Sequence, residues 1–130
     1  MRLTLIIVAL WVLVNCRGDE TVAAYGAAGI IWQLHEIDGQ PFEARTTLSF
    51  PEEGKLSGDA PCNHYFGAQT APYPWFKAEN VGATRRACPD LAAETVYLAA
   101  LSEMSLAEVA GDTLILSNDA GREMVFRTSE

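Results

Sequence analysis

Ser57-Gly58-Asp59-Ala60-Pro61-Cys62-Asn63 and its echo, Ala83-Thr84-Arg85-Arg86-Ala87-Cys88-Pro89, decide how this chain folds. They hold the only two cysteines beyond residue 16. Each stretch follows a β-like run and carries a turn signal: Gly-Asp-Ala-Pro before Cys62, Pro-Asp after Cys88. A bond between them would close a loop that the chain-entropy model credits with roughly 3–4 kcal/mol. That is a large share of the ~5–15 kcal/mol that holds a whole domain together. The pair reads as a staple first and as chemistry second.

Whether a disulfide is permitted depends on the compartment, and the N-terminus speaks to that. Met1-Arg2 is a minimal positive start, and Leu3 to Val14 is apolar apart from Thr4. The run is shorter than the ~20 residues that span a bilayer, but it suits the apolar region of an export signal. Leu13-Val14-Asn15-Cys16 resembles a bacterial lipobox, in which the Cys becomes the lipidated first residue; Asn15 departs from the small residue expected there. Residues 1–15 are expected to be a signal peptide, Cys16 a lipidation site and residues 16–29 a lipid-linked tether. The alternatives are an uncleaved anchor, or cleavage elsewhere that leaves Cys16 a spare thiol. Export makes a Cys62–Cys88 disulfide the expected pairing.

A chain of 130 residues makes at most one domain of ordinary size. A formal charge of −8 and a pI near 4.6 argue against nucleic acid, which needs clustered Lys and Arg. The acidic residues are scattered, which reads as a solvated surface.

The strands declare themselves by alternation. Ile30, Trp32 and Leu34 alternate with Gln33 and His35 before an Asp38-Gly39 turn, so Trp32 and Leu34 face a core. Thr46–Phe50, the turn Pro51–Gly54 and Lys55–Gly58 read as a hairpin. Tyr73–Val81 is aromatic and β-leaning, its prolines confining it to a strand start or an edge. About 89–104 is the helix: Pro89 suits its first position, Tyr97, Leu101 and Met104 form a stripe with Leu91 and Leu98 beside it, and Glu94 and Glu103 face water. Leu106–Ala110, Thr113–Ser117 and Arg122–Arg127, separated by Gly-Asp and Asn-Asp-Ala-Gly turns, close a meander. The fold class is α+β, mainly β: an antiparallel sheet curled into a partly closed barrel with one packed helix.

Trp32-Gln33-Leu34, Asp38-Gly39, Ser57-Gly58 with Cys62-Asn63, Thr84-Arg85 with Ala87-Cys88-Pro89, Leu114-Ile115-Leu116 and Gly121 with Phe126 together resemble the META/HslJ-like domain. The match covers about residues 30–127, and its order and spacing make it specific. Pro61 stands where the family has Gly before Cys-Asn, and Arg86 where Met is common. The resemblance implies a barrel with a packed helix over residues 30–130. It also implies a lipoprotein of the bacterial cell envelope, facing the periplasm, in a family linked to stress or drug tolerance. The fold looks similar to that of lipid-binding pilot lipoproteins of secretion systems.

Chemistry is weighed against that scaffold. Cys62-Asn63-His64 sets a thiol near an imidazole, but a nucleophile pair needs an orienting group and an oxyanion site as well. Cys62, Cys88, His64 and His35 have zinc-ligand types without the paired spacing that makes such sites convincing. No enzymatic activity, metal or cofactor is expected. A binding module leads, with the membrane through the lipid anchor and an envelope protein or an apolar ligand as partners. Trp75, Phe76, Tyr65, Asn63 and Arg85 are the candidate binding residues. Asn63 reads otherwise as a turn residue and Arg85 as a donor to strand-end carbonyls. The alternative function is a small lipid carrier or secretion-pilot-like barrel, which requires a hollow interior.

Overall fold

Strand β1, Trp32–Ile37, shows how the inner face is built. Trp32, Leu34 and Ile37 are buried while His35 is exposed, and a register irregularity between Leu34 and Glu36 turns Ile37 back inward. The computed structural model describes residues 18–129, so the expected signal peptide and Cys16 lie outside the described residues.

Asp38 and Gly39, both at positive φ, make the two-residue turn from β1 into β2, Gln40–Pro41. Then come β3 (Thr47–Leu48), β4 (Lys55–Asp59), β5 (His64–Ala68) and β6 (Glu79–Ala83). The helix α1, Leu91–Glu103, precedes β7 (Leu106–Ala110), β8 (Thr113–Ser117) and β9 (Glu123–Thr128). Two antiparallel sheets result. One runs β2-β1-β9-β8-β7 with β3 also on β1; the other runs β4-β5-β6. A bridge between Ser49 and Ser57 carries the curl from one to the other, and Trp75 bridges to Leu106 at the far edge. The sheets curl around one core without closing into a barrel.

That core is solid. Trp32, Tyr65, Tyr97 and Phe126 are each 0% exposed, with Leu48, Leu114, Leu116 and Met124 packed among them. Each such side chain contributes roughly 1.5–3 kcal/mol by burial. The interior is filled by side chains, which removes the hollow on which a lipid-carrying barrel depends. Two buried phenols are satisfied within it: Tyr97 Oη lies 2.5 Å from Tyr65 Oη, and Tyr65 donates to the Thr47 carbonyl at 2.6 Å. Burial raises both phenols above their ordinary range, and the neighbouring Tyr97 hydroxyl adds to the shift at Tyr65. Gly58 makes room for this contact, since a Cβ there would overlap the Thr47 carbonyl and lie 2.7 Å from the Tyr65 hydroxyl.

Two expectations need correction. Within the segment 16–29 read as a tether, the described part packs on the domain: Val22–Tyr25 forms a short 3-10 helix with Val22 and Ala27 fully buried. The Trp32 indole donates to the Ala27 carbonyl at 3.2 Å, and Tyr25 stacks on Tyr73 with centroids 4.5 Å apart. Small residues let this segment lie flat on the sheet, so low hydrophobic periodicity concealed a packed element. The helix carries its stripe of Tyr97, Leu101 and Met104 inward as expected, but Glu94 is buried and Leu91 is 43% exposed. A carboxylate takes the place where solvent was expected.

Outside the core, Arg122 just before β9 binds Asp38 Oδ2 at 2.9 Å and Glu103 Oε2 at 2.6 Å. Its hydrogen bond, then the Glu123 N–H, holds the Asp38 carboxyl below the usual carboxylate range. The β1–β2 turn, the helix end and β9 are thereby pinned at one corner.

Candidate functional site

The two stretches that opened the sequence meet at the start of α1. Cys62 and Cys88 form a disulfide with Cα atoms 5.8 Å apart. Beside it, Asn63 is buried and every polar atom of its side chain is used. Its Nδ2 donates to Glu94 Oε2 at 2.7 Å and to the Arg86 carbonyl at 3.0 Å. Its Oδ1 accepts from the Thr84 hydroxyl at 3.0 Å and from the Arg86 N–H at 2.6 Å. Glu94 Oε1 in turn accepts the N–H groups of Cys62 at 3.1 Å and Asn63 at 2.7 Å. One buried carboxylate thus gathers three donors, and one amide ties the segment after β6 to the turn before β5.

Here the structure refines the reading of Asn63 and Arg85. Asn63 satisfies backbone, but that of Arg86 in the segment between β6 and α1 and not its own turn. Arg85 makes no side-chain hydrogen bond or ion pair among the described residues; the Thr84 hydroxyl and the Arg86 backbone take the structural role. Asn63, Thr84, Arg85, Arg86, Leu91 and Glu94 line a cleft of about 340 Å³. Among these residues only Glu94 and Asn63 are buried, and both are already saturated with partners.

Tyr65 and Phe76, named as candidate binding residues, are core: Tyr65 is 0% and Phe76 2% exposed. Neither offers a surface to a ligand, because β5 alternation and the Phe76 N–H bond to the Ser105 carbonyl turn them inward. Trp75 is the opposite case at 57% exposed. It lies across from Leu106 on the outer side of the six-stranded sheet, where Tyr73, Pro74, Leu106, Glu108 and Ile115 line a groove of about 340 Å³. Val125, paired with Ile115, extends this apolar row.

The zinc constellation is not assembled. Both cysteines are in the disulfide, and His64 lies 3.3 Å from Asp59 Oδ1 at the surface. Among the described residues no group of three or more His, Cys, Asp or Glu is placed to hold a metal ion. No helix there is long and apolar enough to cross a membrane.

Sequence reasoning missed Glu94 as the hub of the site. The signal was present, because Glu94 stands three residues before Tyr97 and seven before Leu101, on the stripe that faces the core. Reading it as solvated came from residue type, whereas helix phase pointed inward.

A disulfide-stapled pair of antiparallel sheets with one helix latched by a buried glutamate defines a small, mainly β domain. The chain belongs to the META domain family, whose sequence model matches residues 8–130. Solved structures share the fold. A protein from Burkholderia xenovorans is 24% identical with a TM-score of 0.68, covering 86% of this chain and 91% of that one. A DUF4847 family protein from Bacteroides vulgatus is 13% identical with a TM-score of 0.64, covering 82% and 96%. A further NMR structure is 19% identical with a TM-score of 0.60, covering 75% and 87%. No curated protein matches the chain.

Proposed function

We propose that this protein is a non-enzymatic binding module of the bacterial envelope, tethered through Cys16, that engages an envelope protein through Trp75 and the groove beside it. The observation that carries this reading is the division of the aromatic residues. The interior is packed with Trp32, Tyr65, Tyr97 and Phe126, while Trp75 stands exposed across from Leu106, next to the groove that Leu106 and Ile115 line. A filled core leaves the surface as the place for a ligand. Exposed tryptophan beside half-buried aliphatics is the chemistry of an interface anchor.

Because Phe76 is core, the test belongs to Trp75 alone. Trp75→Ala leaves the thermal midpoint nearly unchanged, since its side chain is mostly in water. It weakens partner association by ~2 kcal/mol or more. A photo-crosslinking residue at position 75 yields a discrete envelope adduct in intact cells, while the same residue at Val96, exposed on the helix, yields none. Equal adducts at both positions, or full association by Trp75→Ala, would sink the groove as the binding surface. Cys16→Ser tests the tether separately. It moves the chain out of the membrane fraction, and unchanged partitioning together with unchanged mass counts against lipidation.

A further inference from the structure

We propose that the partner engaged beside Trp75 offers an extended basic segment, in which two cations four residues apart flank an apolar side chain. This rests on Trp75 and its groove being the partner surface, and it names the chemistry that surface takes. Glu36 pairs with Val125, Val125 with Ile115, and Ile115 with Glu108. The four residues form one row straight across β1, β9, β8 and β7. The irregularity in β1 falls outside the row, because the Glu36–Val125 pair follows it. Met124, Phe126, Leu114 and Leu116, which alternate with Val125 and Ile115, are fully buried, so the row faces outward.

The row has a carboxylate at each end and two branched aliphatics between. Neither Glu36 nor Glu108 has an ion-pair partner among the described residues. Glu108 and Ile115 also line the groove next to Trp75, which bridges to Leu106, two residues from Glu108. An apolar centre between two unmatched negative charges is complementary to an apolar residue between two positive ones.

Spacing gives the conformation of the incoming segment. Neighbouring strands lie about 4.8 Å apart, so the strand positions of Glu36 and Glu108 stand about 14 Å apart. An extended chain covers about 14 Å in four residues, and its period of two turns the first, third and fifth side chains to one side. A Lys or Arg at each end then meets a carboxylate, while a Leu or Val between them lies on Val125 and Ile115. A helix needs about nine residues for the same distance, which carries its second cation to the opposite face. Sign gives the direction. Along β9, Val125 stands between Glu123 and Arg127, so a segment lying along that strand would set one of its cations against Arg127. The path across the strands meets only carboxylates at its ends.

The test titrates the full chain, in non-ionic detergent at low salt, with three end-blocked peptides followed by NMR. They are Arg-Ser-Leu-Ser-Arg, its mis-spaced isomer Arg-Arg-Leu-Ser-Ser, and Glu-Ser-Leu-Ser-Glu. The isomer is needed because a chain of charge −8 attracts any cation. The spaced basic peptide binds roughly threefold or more tighter than its isomer and roughly tenfold or more tighter than the acidic peptide. It shifts the amides of Ile115 and Val125. Glu36→Lys with Glu108→Lys inverts the order, so that the acidic peptide binds tighter than the spaced basic one. Equal binding of the two basic isomers overturns the proposal, as does an unchanged order in the double variant or a set of shifts that bypasses Ile115 and Val125. The crosslink at position 75 separates this from the reading on which it rests. An adduct there without any preference among the peptides overturns the basic segment alone, and the preference without an adduct overturns the Trp75 anchor alone.

Discussion

Glu94→Gln is expected to lower the unfolding free energy by about 2–3 kcal/mol, although it preserves size, shape and helix propensity. The reason is the polarity of the three donors that Glu94 collects. The N–H groups of Cys62 and Asn63 converge on Oε1, and Asn63 Nδ2 points at Oε2. A glutamine has one acceptor and one donor, so in either orientation its NH₂ meets an N–H. Asn63 cannot turn over to relieve this, because its Oδ1 already accepts from Thr84 and Arg86. Glu94→Ala removes the acceptor altogether and costs more, about 3–5 kcal/mol, by stranding buried donors. Urea unfolding at neutral pH measures both. Glu103→Gln serves as the control, since its carboxylate is in a solvent-exposed pair with Arg122 and such pairs contribute about 0–1 kcal/mol. If Glu94→Gln costs no more than Glu103→Gln, the carboxylate is not the hub.

Loss of the Cys62–Cys88 bond is the second large effect. Cys62→Ala with Cys88→Ala is expected to cost roughly 3–4 kcal/mol through the freedom returned to the unfolded chain. The native site should survive, because Asn63 still binds Arg86 and Glu94 still binds residues 62 and 63. The bond and the latch join the same two segments, so the combined loss with Glu94→Gln departs from the sum of the separate ones. A paired-alanine variant within about 0.5 kcal/mol of the parent would show that the hydrogen bonds alone hold these loops.

What was legible in the sequence depended on whether the local pattern and the tertiary environment agreed. The meander of β7, β8 and β9 was readable because Leu114, Leu116, Met124 and Phe126 alternate inward and turn residues separate the strands. The cysteine pairing was readable because residue type and the expectation of export both pointed to it. Glu94 was not, because charged residues are rarely buried and only the surrounding donors reveal why this one is. Trp75 and Phe76 are adjacent aromatics with similar propensities, and which one meets solvent follows from the bridge of Trp75 to Leu106. Residues 21–29 were opaque for another reason: alanine and glycine fit beneath the Trp32 indole without leaving any periodic trace.

The pairing of β1 with β9 has a bearing on how the chain acquires its shape. Trp32 lies opposite Thr128, and the Ser129 N–H reaches back to the Ile31 carbonyl at 3.0 Å. The first and last strands are therefore central neighbours, with β8 and β7 attached beyond β9. Until β9 has been synthesised, Trp32 and Leu34 lack the neighbour that covers them and the larger sheet has no middle. Closing so long a loop is slow relative to hairpin formation, so β4–β5 and β7–β8 can form early while the larger sheet waits on β9. A chain built this way stays open until β9 has been made.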